Sequence, residues 1–494
     1  MEIKELRKGI EGFVGEMDEE YYMNGSGQKE ELNLSAIYSR YSYLFSEELL
    51  HEITAARESA SGEEDRSLRF FQAFVTEALL DSTVTELNDR FETEESKASI
   101  EVDGEKIAYR MSAVTMANEE NREKRKLIDR KRLEVVKELN PLLEKKIAKL
   151  HKTAKKLGYE NYMELYRSLK GIDFVNLEKI MKKLLTRTEG IYVEKMDEFL
   201  QENLGITLAE AEKHDISLLF RGKEFDRYFP KEGLIGTFKE TLKGMGIDLD
   251  SQTNIHLDYE ERPNKSPRAF VAPIKVPDKV MLNLLPHGGY SDYDTLLHEG
   301  GHAEHFASVE PELPEEFKYL GDVSVSESYA FLFQYLTTDE RWVAKYTEME
   351  DLKKYLDFVY LIKLFFLRRY AAKLIYEIKL HQSIVDSSMG EVYRKTLESA
   401  LKFRHPEEHY LVDVDDGFYV SQYLRAWIFE AQLREALREK FGDRWFENTK
   451  TGPYLIKNLY SYGQKYNVEE LATMLGYQGL DAEPLIEEIE DHFE

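Results

Sequence analysis

Two histidines four residues apart flank a glutamate in the run His298-Glu299-Gly300-Gly301-His302. On a helix, residues four apart share a face, so both imidazoles can converge on one ion while Glu299, next to the first, reaches a water held there. Imidazole and carboxylate ligands suit zinc, which in catalytic sites keeps one position open and brings the pKa of a bound water to about 7. Hydrolysis is the reaction class this pattern implies. The chain has 12 His in 494 residues, and with Glu at roughly one position in eight the pattern arises by chance about 0.03 times in such a chain. Coincidence, two unrelated histidines on an exposed helix, is therefore the weaker reading. Two mid-helix glycines at 300 and 301 weigh against it too. Each costs roughly 1 kcal/mol relative to alanine and marks a place where another backbone comes close.

A zinc site needs a third protein ligand, and Glu327 offers one. It stands 25 residues after His302, at the start of the apolar run Ser328-Tyr329-Ala330-Phe331-Leu332-Phe333. That distance lets a second helix fold back on the first. A lone glutamate in a first helical turn ordinarily just complements the helix dipole; with the upstream motif, ligation is the preferred reading. Asp322 is the rival ligand. His305 falls on nearly the same face as the two histidines and is read as packing or support for them.

The elements that must position these residues are mainly helical. Residues 292–306 read as the motif helix. Across 119–157, Leu127, Ile128, Leu133, Val136, Leu139, Leu143, Ile147 and Leu150 recur at steps of mostly three or four, a helical stripe with Pro141 as an expected break and Gly158 as a stop. Residues 352–378 are dense in Leu, Phe, Tyr and Ile, as in a long helix buried on several sides. Ile100 and Val102, then Asp103-Gly104, then Ile107 and Tyr109 read as a short hairpin with a two-residue turn. Residues 269–285 read as an irregular or edge strand because of Pro273 and Pro277. It leads through His287-Gly288-Gly289 into the motif helix, and residues 280–283 are expected to pair with an extended substrate along their edge or else to be a covered edge.

Composition narrows the classes. There is no cysteine, which excludes disulfides, thiol catalysis and thiolate metal sites. A formal charge of −27, spread along the chain, argues against nucleic acid or an anionic membrane as partner. The first residues carry mixed charge with no apolar core, so a cytoplasmic location is expected.

The run from His298 to His305, followed by Glu327, resembles the thimet oligopeptidase and oligoendopeptidase F family of zinc metallopeptidases, of the gluzincin type and related to angiotensin-converting enzyme. Similarity runs from about Ser266 to the C-terminus and more weakly through the helical N-terminal half, where Leu157-Gly158-Tyr159-Glu160-Asn161-Tyr162 has the family's character. The resemblance implies a mainly α, two-lobed helical peptidase fold with a deep central channel and a small β element beside the zinc helix. It further implies a single metallopeptidase unit over 1–494, with a helical N-terminal lobe at 1–250 and the zinc-binding catalytic region at 251–494. It makes His298, His302 and Glu327 the ligands of one zinc ion, Glu299 the general base, and short peptides the substrates. Family members also steady the oxyanion with tyrosines, often aided by a histidine. The matching segment here runs from Gly417 to Trp427 and puts Tyr423 first and Tyr419 second. Where the family histidine is expected, this chain has Asp413, Asp415, Asp416 and Gly417. His409 and His405 are the nearest substitutes, with His409 the candidate to assist and an exposed turn histidine the bland alternative.

The expected activity is therefore hydrolysis of internal bonds in short peptides. The alternative is a carboxypeptidase or dipeptidyl carboxypeptidase on the same scaffold, which needs a cation for the substrate's terminal carboxylate. Arg425, Arg368 and Lys465 are the candidates. A third reading is a non-catalytic, zinc-containing peptide-binding protein, against which the presence of Glu299 argues, since a purely structural site has no use for a base.

Overall fold

A computed structural model describes residues 3–494. Among these residues are twenty-one α-helices and five short strands, so the fold is mainly α, as the helical periodicities imply. No helix among the described residues is long and apolar enough to cross a membrane. The chain forms two compact units, each assembled from three stretches. The first comprises Met1–Thr76, Lys223–Leu356 and Arg425–Leu485, and the second Glu77–Gly222, Asp357–Leu424 and Ile486–Glu494.

The first unit contains a three-stranded sheet beside the motif helix. Strands β1 (Ser99–Val102) and β2 (Glu105–Ala108) belong to the second unit, whereas β3 (Ile255–Asp258), β4 (Phe270–Lys275) and β5 (Lys279–Asn283) form this sheet in the order β3-β5-β4. Strand β5 runs parallel to β3 and antiparallel to β4. Of the two readings of residues 280–283, pairing with a substrate is ruled out: both sides of β5 are already paired, so it has no free edge. The outer strands are β3 and β4, and the pairing of β4 with β5 slips between Ala272 and Lys275. Pro273 lies within that slip, as expected of a residue that cannot donate to a ladder.

The motif helix spans Tyr290–Ala307. Asp292 in its first turn accepts the backbone N–H groups of His287 and Gly288, both at 2.6 Å, which holds the entering loop. Tyr293, Leu296, Leu297 and Ala303 are buried on its inner face. It packs on β4 and β5 and, most extensively, on the helix Val323–Gln334. The glycines permit that contact. A Cβ on Gly301 would stand 2.4 Å from the carbonyl oxygen of Tyr329 and 2.6 Å from Cα of Ala330. The close backbone approach expected of the glycine pair is present at Gly301, while Gly300 instead faces the ring of Phe238.

In the second unit the hairpin and its turn are as read, except that the second strand ends at Ala108 and Tyr109 starts the helix Tyr109–Asn118. β1 and β2 pair antiparallel with Val102 opposite Glu105, and Asp103 (φ 53°) and Gly104 (φ 82°) make the turn. Ile100 and Val102 pack with Tyr109, Met116, Ile128 and Val136. The helix Arg122–Lys156 carries Pro141 in its interior, which overturns the expected break. The run of buried residues on both sides of that position, from Val136, Leu139 and Leu142 to Ile147 and Leu150, keeps one packed face continuous, and packing outweighs the roughly 3 kcal/mol a helical proline costs.

Candidate metal centre

The motif helix and the helix Val323–Gln334 each contribute to one cluster. His298 Nε2 lies 3.6 Å and His302 Nε2 3.7 Å from Glu327 Oε2, and one donor atom from each of the three residues lies within 4.8 Å of the others. Four ligands arranged tetrahedrally at the usual zinc distance stand about 3.3 Å apart. The observed separations are close to that and somewhat longer than a hydrogen bond, the spacing of atoms that share an ion.

The far side of each imidazole supports this. His298 Nδ1 donates to Gln334 Oε1 at 2.8 Å, and Gln334 Nε2 in turn donates to Asp294 Oδ2 at 2.7 Å. His302 Nδ1 is 2.7 Å from Ser326 Oγ. With His298 Nδ1 donating to an amide oxygen, its Nε2 presents a lone pair to the cluster, as a metal-binding histidine must, and His302 is held from its Nδ1 side by a hydroxyl. Burial pushes the His298 imidazole down to about 4 and the His302 imidazole well below its ordinary value. Both are neutral and available as ligands near pH 7.

Glu299 is partly buried beside the cluster. Burial, reinforced by the charge of Glu327, pushes its carboxyl up to about 7, against the pull of the Arg268 charge and a hydrogen bond from the Val271 backbone. A carboxylate held near neutrality suits a group that must both take and give a proton. Val271 lies on β4, so this outer strand stands next to the candidate base. Asp294 is pushed up to about 6 by burial, opposed by the donors Thr337 and Gln334.

The remaining candidates sort clearly. Asp322, the rival ligand, caps the helix Val323–Gln334 by accepting the Ser324 backbone N–H at 3.1 Å. It also receives Arg425, whose Nη1 and Nη2 reach its two oxygens at 3.0 and 2.7 Å. It does not join the cluster. His305 is fully buried, donates from Nε2 to the Gly463 carbonyl at 3.2 Å, and packs on Tyr329 and Tyr460, the packing role expected of it. The three cations proposed for a substrate carboxylate are all committed elsewhere. Arg425 is buried between Asp322 and Glu469. Arg368 is buried against the carbonyls of Ala400 and Leu185 and the hydroxyl of Thr188. Lys465 pairs with Glu63.

The candidate oxyanion residues lie in the second unit. Tyr419 and Tyr423 begin the helix Tyr419–Phe441; their ring centroids are 5.2 Å apart, and Tyr423 is 5.8 Å from Tyr370. His409 sits in a short 3-10 turn, partly buried rather than exposed, with Nδ1 2.7 Å from Lys213 Nζ. Burial and that lysine hold its pKa well below the ordinary value. His405 is buried against Phe403 and Tyr393.

Sequence reasoning missed Asp294, Gln334 and Ser326. Helical spacing carried a signal for two of them: Asp294 is four residues before His298, and Gln334 is seven after Glu327, each one or two turns along the same face. Ser326 gave none, because a serine next to a ligand is ordinary in a first helical turn.

No protein-family model matches this sequence, and no curated protein matches it. Solved structures do match. A protein described as an oligoendopeptidase F from Bacillus anthracis str. Ames aligns over 98% of this chain and 84% of its own, with a TM-score of 0.61 and 16% identity. A Pyrococcus furiosus carboxypeptidase, described as Apo-Mg, aligns over 100% of this chain and 99% of its own, with a TM-score of 0.66 and 14% identity. From end to end, then, this chain has the fold shared by an oligoendopeptidase F and a carboxypeptidase.

Proposed function

We propose that the chain is a zinc-dependent peptidase that hydrolyses internal bonds of short peptides. The observation that carries this reading is the convergence of His298, His302 and Glu327 beside Glu299. Zinc held by those three side chains supplies an electrophile for the peptide carbonyl and acidifies the attacking water. The protein's own part is proton management and positioning. Glu299 takes a proton from the water at its carboxylate and passes it to the leaving amine. The outer strand β4, next to Glu299, is suited to hold an extended peptide by backbone pairing. Tyr423, with Tyr419, is assigned the oxyanion on the resemblance alone; Tyr423→Phe is expected to lower kcat with little change in KM, and an unchanged kcat removes that assignment.

A carboxypeptidase on the same scaffold is the second reading, favoured by the name of one structural neighbour. Against it stands the engagement of Arg425, Arg368 and Lys465 in internal contacts. The test is mass spectrometry of the products from a mixed peptide library, with C-terminally amidated members, run with and without a chelator. Internal cleavage that tolerates amidation and stops with chelator is expected. Loss of every amidated peptide from the cleaved set selects the carboxypeptidase reading, and bound zinc without any cleavage selects a non-catalytic one.

A further inference from the structure

Gln334 has two chemically different ends, and the residues around it decide which way it points. One end faces His298 Nδ1 at 2.8 Å and the other Asp294 Oδ2 at 2.7 Å. A carboxylate oxygen in that position accepts, so the amide NH2 must face Asp294 and the amide oxygen must face His298. An amide oxygen only accepts, so the hydrogen of His298 sits on Nδ1, and Nε2 carries the lone pair directed at Glu327. Thr337 Oγ1 anchors the second oxygen of Asp294 at 2.9 Å, which stops the carboxylate from rotating away.

We infer that Asp294 is a positioning residue for the metal centre, fixing through Gln334 which nitrogen of His298 faces the ion. The inference rests on the proposed zinc site and deepens it. The second ligand has no such control. Ser326 Oγ, 2.7 Å from His302 Nδ1, is a hydroxyl that can donate or accept, so it holds the ring without choosing its tautomer. The two ligands are thus held asymmetrically, the first by a directed relay and the second by an adaptable partner. Asp294 touches neither substrate nor ion in this scheme; its effect is on the affinity of the site.

The test is zinc affinity by competition with a chromophoric chelator, alongside thermal unfolding of the metal-free protein. Asp294→Ala and Gln334→Leu are each expected to weaken zinc binding about 10- to 100-fold, and Ser326→Ala by less. Asp294→Asn permits the two amides to flip together and is expected to weaken binding as well. The exchange Asp294→Asn/Gln334→Glu restores a group that can only accept opposite His298, and is expected to return affinity to within about threefold of the parent. This double variant also decides the matter if Asp294→Ala fails to fold. Equal affinities for parent and Asp294→Asn, or a double variant no tighter than Asp294→Asn, overturn the inference. So does a fall in the metal-free unfolding temperature of Asp294→Ala with unchanged zinc affinity, which marks a structural residue only. A parent protein that binds no zinc sinks the proposed function instead, and the two failures are thereby told apart.

Discussion

Glu299→Gln is expected to reduce peptide cleavage by about 10²- to 10⁴-fold, the usual contribution of a general base, equivalent to about 3–5 kcal/mol of barrier. The substitution keeps the volume and the hydrogen-bonding reach of the side chain and removes only its capacity to hold a proton. The two imidazoles are held from their far sides by Gln334 and Ser326, not by Glu299. Zinc content should therefore be unchanged, and peptide binding nearly so. Steady-state kinetics together with metal analysis of the purified variant check both halves. Cleavage at the parent rate with full zinc would mean that another group handles the proton.

The second large effect is expected at Gly301. A side chain there meets the backbone of Tyr329 and Ala330 at 2.4–2.9 Å, and backbone in the middle of a helix has nowhere to go. For Gly301→Val the helices Tyr290–Ala307 and Val323–Gln334 must separate by about 1 Å to reach normal carbon contact distances. Overpacking of this kind costs about 1–3 kcal/mol of stability. The more telling loss is at the cluster, because the same displacement widens the gaps between the two imidazoles and Glu327, and about 1 Å of misplacement is worth about 10²-fold in activity. Gly300→Ala is the control. Its nearest neighbours are atoms of the Phe238 ring, and a ring can turn where a backbone cannot, so zinc affinity should hold even if some stability is lost. Denaturant unfolding and chelator competition on the two variants separate the effects; equal zinc affinities for both would show that the helix contact does not govern the site.

How much of this was legible in the chain depends on how local each feature is. The motif helix and the turn at Asp103-Gly104 announce themselves within a few residues, by period or by turn chemistry, whereas the ligand helix starts at Val323, four residues before the start expected at Glu327. Gly301 was readable as a sign of close approach because its cost in a helix demands a reason. Pro141 misled, since a local rule about proline was overridden by buried contacts on both sides of it. Strand β5 left two readings open: Val280 to Asn283 look like any short strand, and nothing in them tells that β3, more than twenty residues earlier, takes one of its edges. The relay from Asp294 to His298 crosses between two helices, so helical spacing could suggest its members but not their pairing. The interleaving of three stretches in each unit is less local still and leaves no periodic trace.

The clasp between Arg425 and Asp322 links residues 103 positions apart, and this sets an order of events during synthesis. Asp322 caps the helix that presents Glu327, but its buried partner emerges from the ribosome long after His298, His302 and Glu327 have done so. At 5–20 residues per second the interval is roughly 5–20 s. During that time the helix bearing Glu327 lacks this anchor, so a nascent chain carries His298, His302 and Glu327 without the clasp at the start of that helix. The arrival of Arg425 is in this way a timer for one helix cap, set by the distance along the chain rather than by any local folding preference.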